Sequence, residues 1–420
     1  MDRKKQIIIS HPNGNANTRG ALYGLQRKGL LYKYITSVAV FSYGTWSKVS
    51  RLPGLKSLRR KYYDDAIGEH VMCFPFKELG RQLCIKMGLG SLLKHETGVF
   101  CVDKECEYID KKTAGVLRRL ADNVDAVYGY EDVALCTFRE AKRMGKVCIY
   151  DLPIGHWRAM RELLDGERKR LPEWAMTLGG FNDTDAKLAR KDEELRLADK
   201  IYVASSFTKW SLKDYPGRLA EVEVIPYGFP PVNRNRRYEA FDNGRKIKAL
   251  YVGGLSQRKG IAYVFEAMKG LEDRIDMTVV GSGNIDGCEA LRDALQKVNY
   301  IPTLPHEEVL KLMAESDVFI FPSLFEGFGL VITEAMSQGT PVITTDRTCG
   351  PDIMTHGKDG WIVEAGTSEP IRNLLLSFID NPGMLSQFGR NAMETAAKRP
   401  WKKYEDELAE SVMRFLDNNQ

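Results

Sequence analysis

An α/β chain of two doubly wound, Rossmann-like domains facing a central cleft is what this 420-residue sequence predicts. Three observations carry the prediction. Short β-rich apolar runs recur with helical stretches between them. The runs lack strict alternation, as expected of parallel strands covered on both faces. The length suits two or three domains rather than one. In the first half, strands are expected at residues 6–10, 34–41, 126–130, 147–150, 201–204 and 222–226, with helices such as 132–144 and 183–198 between them. In the second half, strands are expected at 249–252, 277–280, 299–301, 318–321, 341–344 and 361–363, separated by helices near 260–271, 307–316 and 330–338. Gly228-Phe229-Pro230-Pro231 breaks structure, and a polar, basic run follows to Arg245. The expected units are therefore a domain over 1–230, a linker over 231–246, a domain over 247–396 and a C-terminal helix over 397–420. That helix carries Trp401, Tyr404, Leu408, Val412 and Phe415 on one stripe, which needs covering, and it is expected to pack back on the first domain.

Composition narrows the class. Hydrophobic residues make up 43% and charged residues 28%, which excludes a disordered or fibrous chain. No apolar run approaches the roughly 18 residues of a membrane span. The start has only three consecutive apolar residues, Ile7, Ile8 and Ile9, too few for a signal-peptide core, so a cytoplasmic protein is expected. The eight cysteines are scattered without zinc spacing and read as reduced thiols. The net charge of +5 hides a split: residues 1–240 carry 42 Lys and Arg against 30 Asp and Glu, residues 241–420 carry 19 against 26. Lys48, Arg51, Lys56, Arg59, Arg60 and Lys61 form one basic stretch interleaved with Leu52, Leu55, Leu58 and Tyr62. It reads as a solvated loop face or as a contact for an anionic, cytoplasmic membrane face. Nucleic acid ranks last, because no nucleic-acid motif accompanies it.

Ligands of doubly wound sheets bind beyond the carboxyl ends of the strands, so the loops there carry the chemistry. The run from Val318 to Met336 ends a buried strand at Pro322. It places Glu326 in a loop, then Gly327 and Gly329, and opens a helix that holds Glu334. A helix start suits a phosphate, and two carboxylates suit vicinal hydroxyls. Together they describe a nucleotide sugar. Tyr251-Val252-Gly253-Gly254-Leu255-Ser256-Gln257-Arg258-Lys259-Gly260 adds a tight turn and two cations able to clamp a diphosphate, though not with Walker A spacing. Gly281-Ser282-Gly283 lacks the third glycine of a dinucleotide fingerprint and reads as a structural turn. Asp183-Thr184-Asp185 precedes a charged helix, where these residues serve as caps rather than metal ligands.

In order and spacing these pieces resemble the retaining family-4 glycosyltransferases with the GT-B fold. Glu326 and Glu334 match that family's E-x7-E pair, and Gly253 with Lys259 its glycine-lysine loop. The Gly281 turn, Ile225-Pro226-Tyr227-Gly228 and the run from Asp199 to Ser205 match further segments. The resemblance is strong over about residues 199–365 and weak before residue 120. It implies transfer of a sugar from a UDP- or GDP-linked donor to an acceptor hydroxyl with retention, without metal or cofactor. The setting implied is polysaccharide, lipopolysaccharide or glycolipid synthesis, with a carbohydrate or lipid-linked acceptor. It implies catalytic roles for Glu326, Lys259, Arg258 and His156. Donor contacts would come from Gly253, Ser256, Thr303, Phe328, Gly329, Leu330 and Glu334, with Gly14 facing the diphosphate from the first domain. The sequence departs from the family at three places. Gly254 stands where arginine is usual, and Arg258 is the candidate replacement. Asn13-Gly14-Asn15 stands where a double glycine is common. Asp151 stands where a histidine is expected, with His156 five residues on, and Glu131 is a further cleft candidate. A nucleotide-sugar epimerase and a non-catalytic GT-B scaffold are the alternative readings.

Overall fold

The structure, a computed structural model, describes residues 4–49, 60–179, 181–241 and 244–418. Two parallel sheets organise it. The first contains β1 (Ile7–Ser10), β2 (Leu31–Thr36), β3 (Val71–Cys73), β4 (Ala126–Tyr130), β5 (Val147–Leu152), β6 (Lys200–Val203) and β7 (Glu221–Val224), in the order β3-β2-β1-β4-β5-β6-β7. The second contains β8 (Ile247–Val252), β9 (Ile275–Val280), β10 (Asn299–Ile301), β11 (Val318–Phe321), β12 (Val342–Thr345) and β13 (Gly360–Val363), in the order β10-β9-β8-β11-β12-β13. Each sheet reverses its winding once, at β1/β4 and at β8/β11. These are the switch points where such sheets bind ligands. The central strands β1, β4 and β11 are buried along their whole length, which explains their unbroken apolar runs.

The expected strand at 34–41 is shifted. The chain turns at Gly29 in the left-handed region (φ 71°), enters β2 at Leu31 and leaves the sheet after Thr36. Val38 and Val40 are buried in a small satellite cluster instead, and Val40 makes only an isolated bridge to Tyr62, so their apolarity records burial outside the sheet. β3 was not anticipated; it is a three-residue edge strand with too little pattern to read. Residues 50–59, with Arg51, Lys56 and Arg59 of the basic stretch, lie outside the described residues. The end of that stretch departs from a solvated face: Lys61 turns inward, with its ammonium 2.7 Å from the buried Glu78 carboxylate and 2.7 Å from Asn13 Oδ1.

The helix Trp401–Asn418 lies along the helix Ala16–Arg27 of the first domain. Gly24 lets the Glu405 backbone approach; a Cβ there would overlap the Glu405 carbonyl. Arg27 and Lys28 pair with Glu405 and Glu410 at 2.6 and 2.9 Å. The chain reaches this helix beside the segment that leaves β7. Phe229 N donates to Arg399 O at 2.8 Å, and the Arg399 guanidinium donates to Pro226 O and Tyr227 O. All eight cysteines are free thiols.

Candidate active site

The switch point of the second sheet sets the loops after β8 and β11 side by side, and hydrogen bonds stitch them together. Leu324 N donates to Arg258 O at 2.9 Å, Ser323 Oγ to the same oxygen at 3.2 Å, and Arg258 Nη1 to Phe325 O at 2.8 Å. Gly260 makes the fit possible. It holds φ at 70°, and a Cβ there would overlap the Pro322 carbonyl. The stitching brings the Lys259 ammonium into contact with the Glu326 carboxylate, with Arg258 Nη1 3.8 Å from the same oxygen. Lys259 also sits 5.2 Å from the centre of the Phe321 ring. Burial, followed by the Arg258 charge, lowers the Lys259 ammonium to about 6. Glu326, in contact with it, opposes that shift, so this lysine's charge depends on the anion facing it.

Gly329 opens the helix Leu330–Ser337 at φ 94°, and no side chain caps the start. The helix's first amides are left without a capping side chain beside Glu326, whose Cγ lies 3.5 Å from where a Gly329 Cβ would stand, an arrangement suited to an anion. Glu334 lies one turn further on. Burial raises its carboxyl, and His306 opposes this from 4.0 Å. Thr303 is exposed beyond β10, three residues before His306. Ser256 uses its hydroxyl to accept from Arg258 N at 3.2 Å and so shapes the turn. The Gly281-Ser282-Gly283 turn is a packing device: a Cβ on Gly281 would overlap Gly253 O, and Leu255 N donates to Ser282 O at 2.9 Å.

The first domain clamps the Glu326 loop from across the cleft. Ser205 Oγ and Thr208 Oγ1 both donate to Gly327 O, at 2.6 and 2.8 Å. Gly327 has no room for a Cβ against Pro153 O, nor has Gly155 against the Phe325 ring. Phe207 meets Phe325 edge-on at 5.5 Å, and Asp352 accepts from Ser206 N at 3.0 Å. Tyr227 packs against Phe328 at 4.8 Å. Sequence reasoning did not assign Ser205, Thr208 or Asp352 a role. The local signal was the serine that opens a short helix, and nothing nearby in sequence reveals its partner 122 residues away.

His156 requires a correction. Its side chain has no exposed surface, so it cannot touch a sugar in the cleft. Its Nε2 lies 3.2 Å from Asp192 Oδ1, and its ring meets Tyr215 edge-on at 6.0 Å. Burial lowers it to about 4, so it stays neutral. Asp192 also holds Trp157 and Arg158, which makes the group a structural knot. Asp151 is buried on β5, accepts from Tyr128 OH at 2.7 Å and is raised by burial to about 7. Glu131 pairs with Lys191 at 3.3 Å. Gly14 is buried beneath Tyr63 and Tyr34, whose rings leave no room for a Cβ. Thr184 caps the helix Asp185–Leu197, while Asp183 contacts His95, Lys187 and Lys191.

Comparison with known proteins matches the second domain most directly. Residues 233–395 fit the family model "Glycosyl transferases group 1". An uncharacterised glycosyltransferase of Methanocaldococcus jannaschii is 31% identical over 206 residues, covering 44% of this chain and 52% of that protein. The chain spans about half the length of the curated relatives it matches. Sucrose-phosphate synthase from Thermosynechococcus elongatus shares the fold over 99% of this chain and 100% of its own, at a TM-score of 0.65 and 15% identity. Anabaena HepE, solved with UDP-glucose, does so over 97% and 99%, at 0.60 and 16%. Residues 233–395 thus match the model of the glycosyl transferases group 1, in a chain with the two-domain GT-B fold.

Proposed function

We propose that the chain transfers a sugar from a nucleoside diphosphate donor to an acceptor hydroxyl, with retention and without a metal. The observation that carries this reading is the meeting of Lys259, Arg258 and Glu326 at the uncapped start of the helix that bears Glu334. When the bond from the anomeric carbon to the donor phosphate breaks, negative charge grows on the diphosphate. Lys259, Arg258 and the helix start receive it. Glu326 gives up Lys259 to the diphosphate and faces the sugar; Glu334 holds the ribose hydroxyls. The acceptor oxygen bonds to the anomeric carbon on the face the phosphate leaves, and the acceptor proton passes to that phosphate oxygen. Trapping of a covalent sugar on the Glu326→Gln enzyme, or an inverted product, would refute this front-face route. The acceptor is a carbohydrate or a lipid-linked one.

Calorimetry with UDP, GDP and ADP, with and without EDTA, tests the donor side. One nucleotide binds saturably, EDTA changes nothing, and Glu334→Ala weakens binding about tenfold or more. UDP is the first to try, since HepE was solved with UDP-glucose. Absence of binding by all three would turn the reading toward a non-catalytic scaffold.

A further inference from the structure

Thirteen large hydrophobic side chains are exposed among the described residues, and ten of them fall between Tyr43 and Val102. The densest group is on the helix Phe76–Lys86, which follows the edge strand β3. Phe76, Leu79, Leu83 and Met87 are spaced three, four and four residues apart, which puts them on one face. That face points to solvent: Phe76 is 60% exposed, Leu83 57% and Met87 61%. Glu78 and Cys84, off the stripe, do the packing, while Ile85 on the far side is also exposed at 51%. Gly80 lets the Phe100 ring lie against the helix, and Lys77 Nζ donates to Val99 O at 2.9 Å, so exposed Val99 is held beside the stripe. An outward apolar stripe on a well-packed helix costs solubility and marks a contact surface.

The charges around it say which contact. From residue 71 to residue 95 the chain carries Lys77, Arg81, Lys86 and Lys94 against a single acid, Glu78. That acid is buried and neutralised by Arg81 and Lys61. Arg81 is itself held by Glu78 and Glu105, so Lys77 and Lys94 are the cations that flank the apolar side chains, as on interfacial helices at anionic lipid. No helix among the described residues is long and apolar enough to cross a membrane, which fits a surface contact. We propose that the helix Phe76–Lys86, with its apolar stripe and flanking lysines, docks the first domain on an anionic bilayer surface. The helix begins three residues beyond the carboxyl end of β3, the cleft side of the sheet. Docking there sets the mouth of the cleft beside the lipid headgroups. The proposal deepens the lipid-linked acceptor reading, but vesicle binding requires neither donor nor turnover.

Flotation of the full chain with phosphatidylcholine vesicles, with and without phosphatidylglycerol, tests it. The wild type floats with the anionic vesicles and more weakly as salt rises. Leu83→Glu combined with Met87→Glu weakens vesicle binding by at least about tenfold, with unchanged melting temperature and unchanged nucleotide binding. Phe76→Trp gains quenching by brominated lipid that the wild type lacks. A wild type that stays in solution, or a double variant that floats as well as the wild type, overturns the proposal. So does a wild-type dimer that the double variant makes monomeric, since a second copy would then cover the stripe. Intact nucleotide binding in any of these outcomes leaves the donor-site reading standing.

Discussion

Across the cleft from the Lys259–Glu326 pair, the first domain presents a different chemistry. The second domain gathers two cations, two carboxylates and an uncapped helix start on adjoining loops. The first domain buries Asp151 against Tyr128, which raises its carboxyl to about 7, and keeps His156 neutral. Burial does opposite work in the two halves. Around Lys259 it makes the ammonium depend on an incoming anion; around Asp151 it suppresses an anion. One wall is suited to changes of charge during reaction, and the other to holding shape.

The sharpest way to break this contrast is Lys259→Ala. Turnover should fall by about 10²–10³-fold, as for loss of a charge stabiliser, and steady-state transfer assays read it. A loss of only a few fold would move the charge stabilisation to Arg258 and the helix start. Gly327→Ala comes next. It forces a Cβ against Pro153 O and should cost about 1–3 kcal/mol in denaturant unfolding, with weakened transfer because the clamp on the Glu326 loop opens. His156→Gln probes the quiet wall. It should lose about 1–2 kcal/mol of stability by disturbing the buried bond to Asp192, with nucleotide affinity in calorimetry unchanged. Lost affinity with full stability would return His156 to the site. Asp151 gives the probe that depends on pH. Its carboxyl is held protonated to about 7, above its ordinary value of 3.8. The stability this contributes is complete below about 4 and is lost as pH rises through about 7. Asp151→Asn should therefore raise the melting temperature more at pH 8 than at pH 5, and a pH-independent difference would contradict the buried, protonated carboxyl.

The same contrast explains what the sequence made legible. The chemistry of the second domain is local: glycines, two cations and two acids stand within short loops bounded by unmistakable strands, and β10 and β11 match their expected spans residue for residue. The Lys259–Glu326 contact joins residues 67 apart, but each motif was readable alone. The first domain works through long-range partners that leave no local trace. Ser205 and Thr208 reach Gly327, and His156 finds Asp192. A histidine beside a tryptophan looks the same in sequence whether it lines a cleft or fills a core. Lys61 shows the matching error for charge: a basic run suggested one common face, yet one member turned inward to Glu78.

The return of the chain to the first domain has a mechanical meaning. The polypeptide passes between the two sheets twice, once after β7 and again before Trp401, and the passages are bonded to each other at Phe229 and Arg399. Gly228 lies so close to Trp401 that a Cβ would overlap its backbone. Two halves joined by a single tether can tumble freely. Joined by two tethers laced at one point, they keep a common axis, like covers on a spine. The lacing holds the two halves in the register at which Ser205 and Thr208 meet the carbonyl of Gly327.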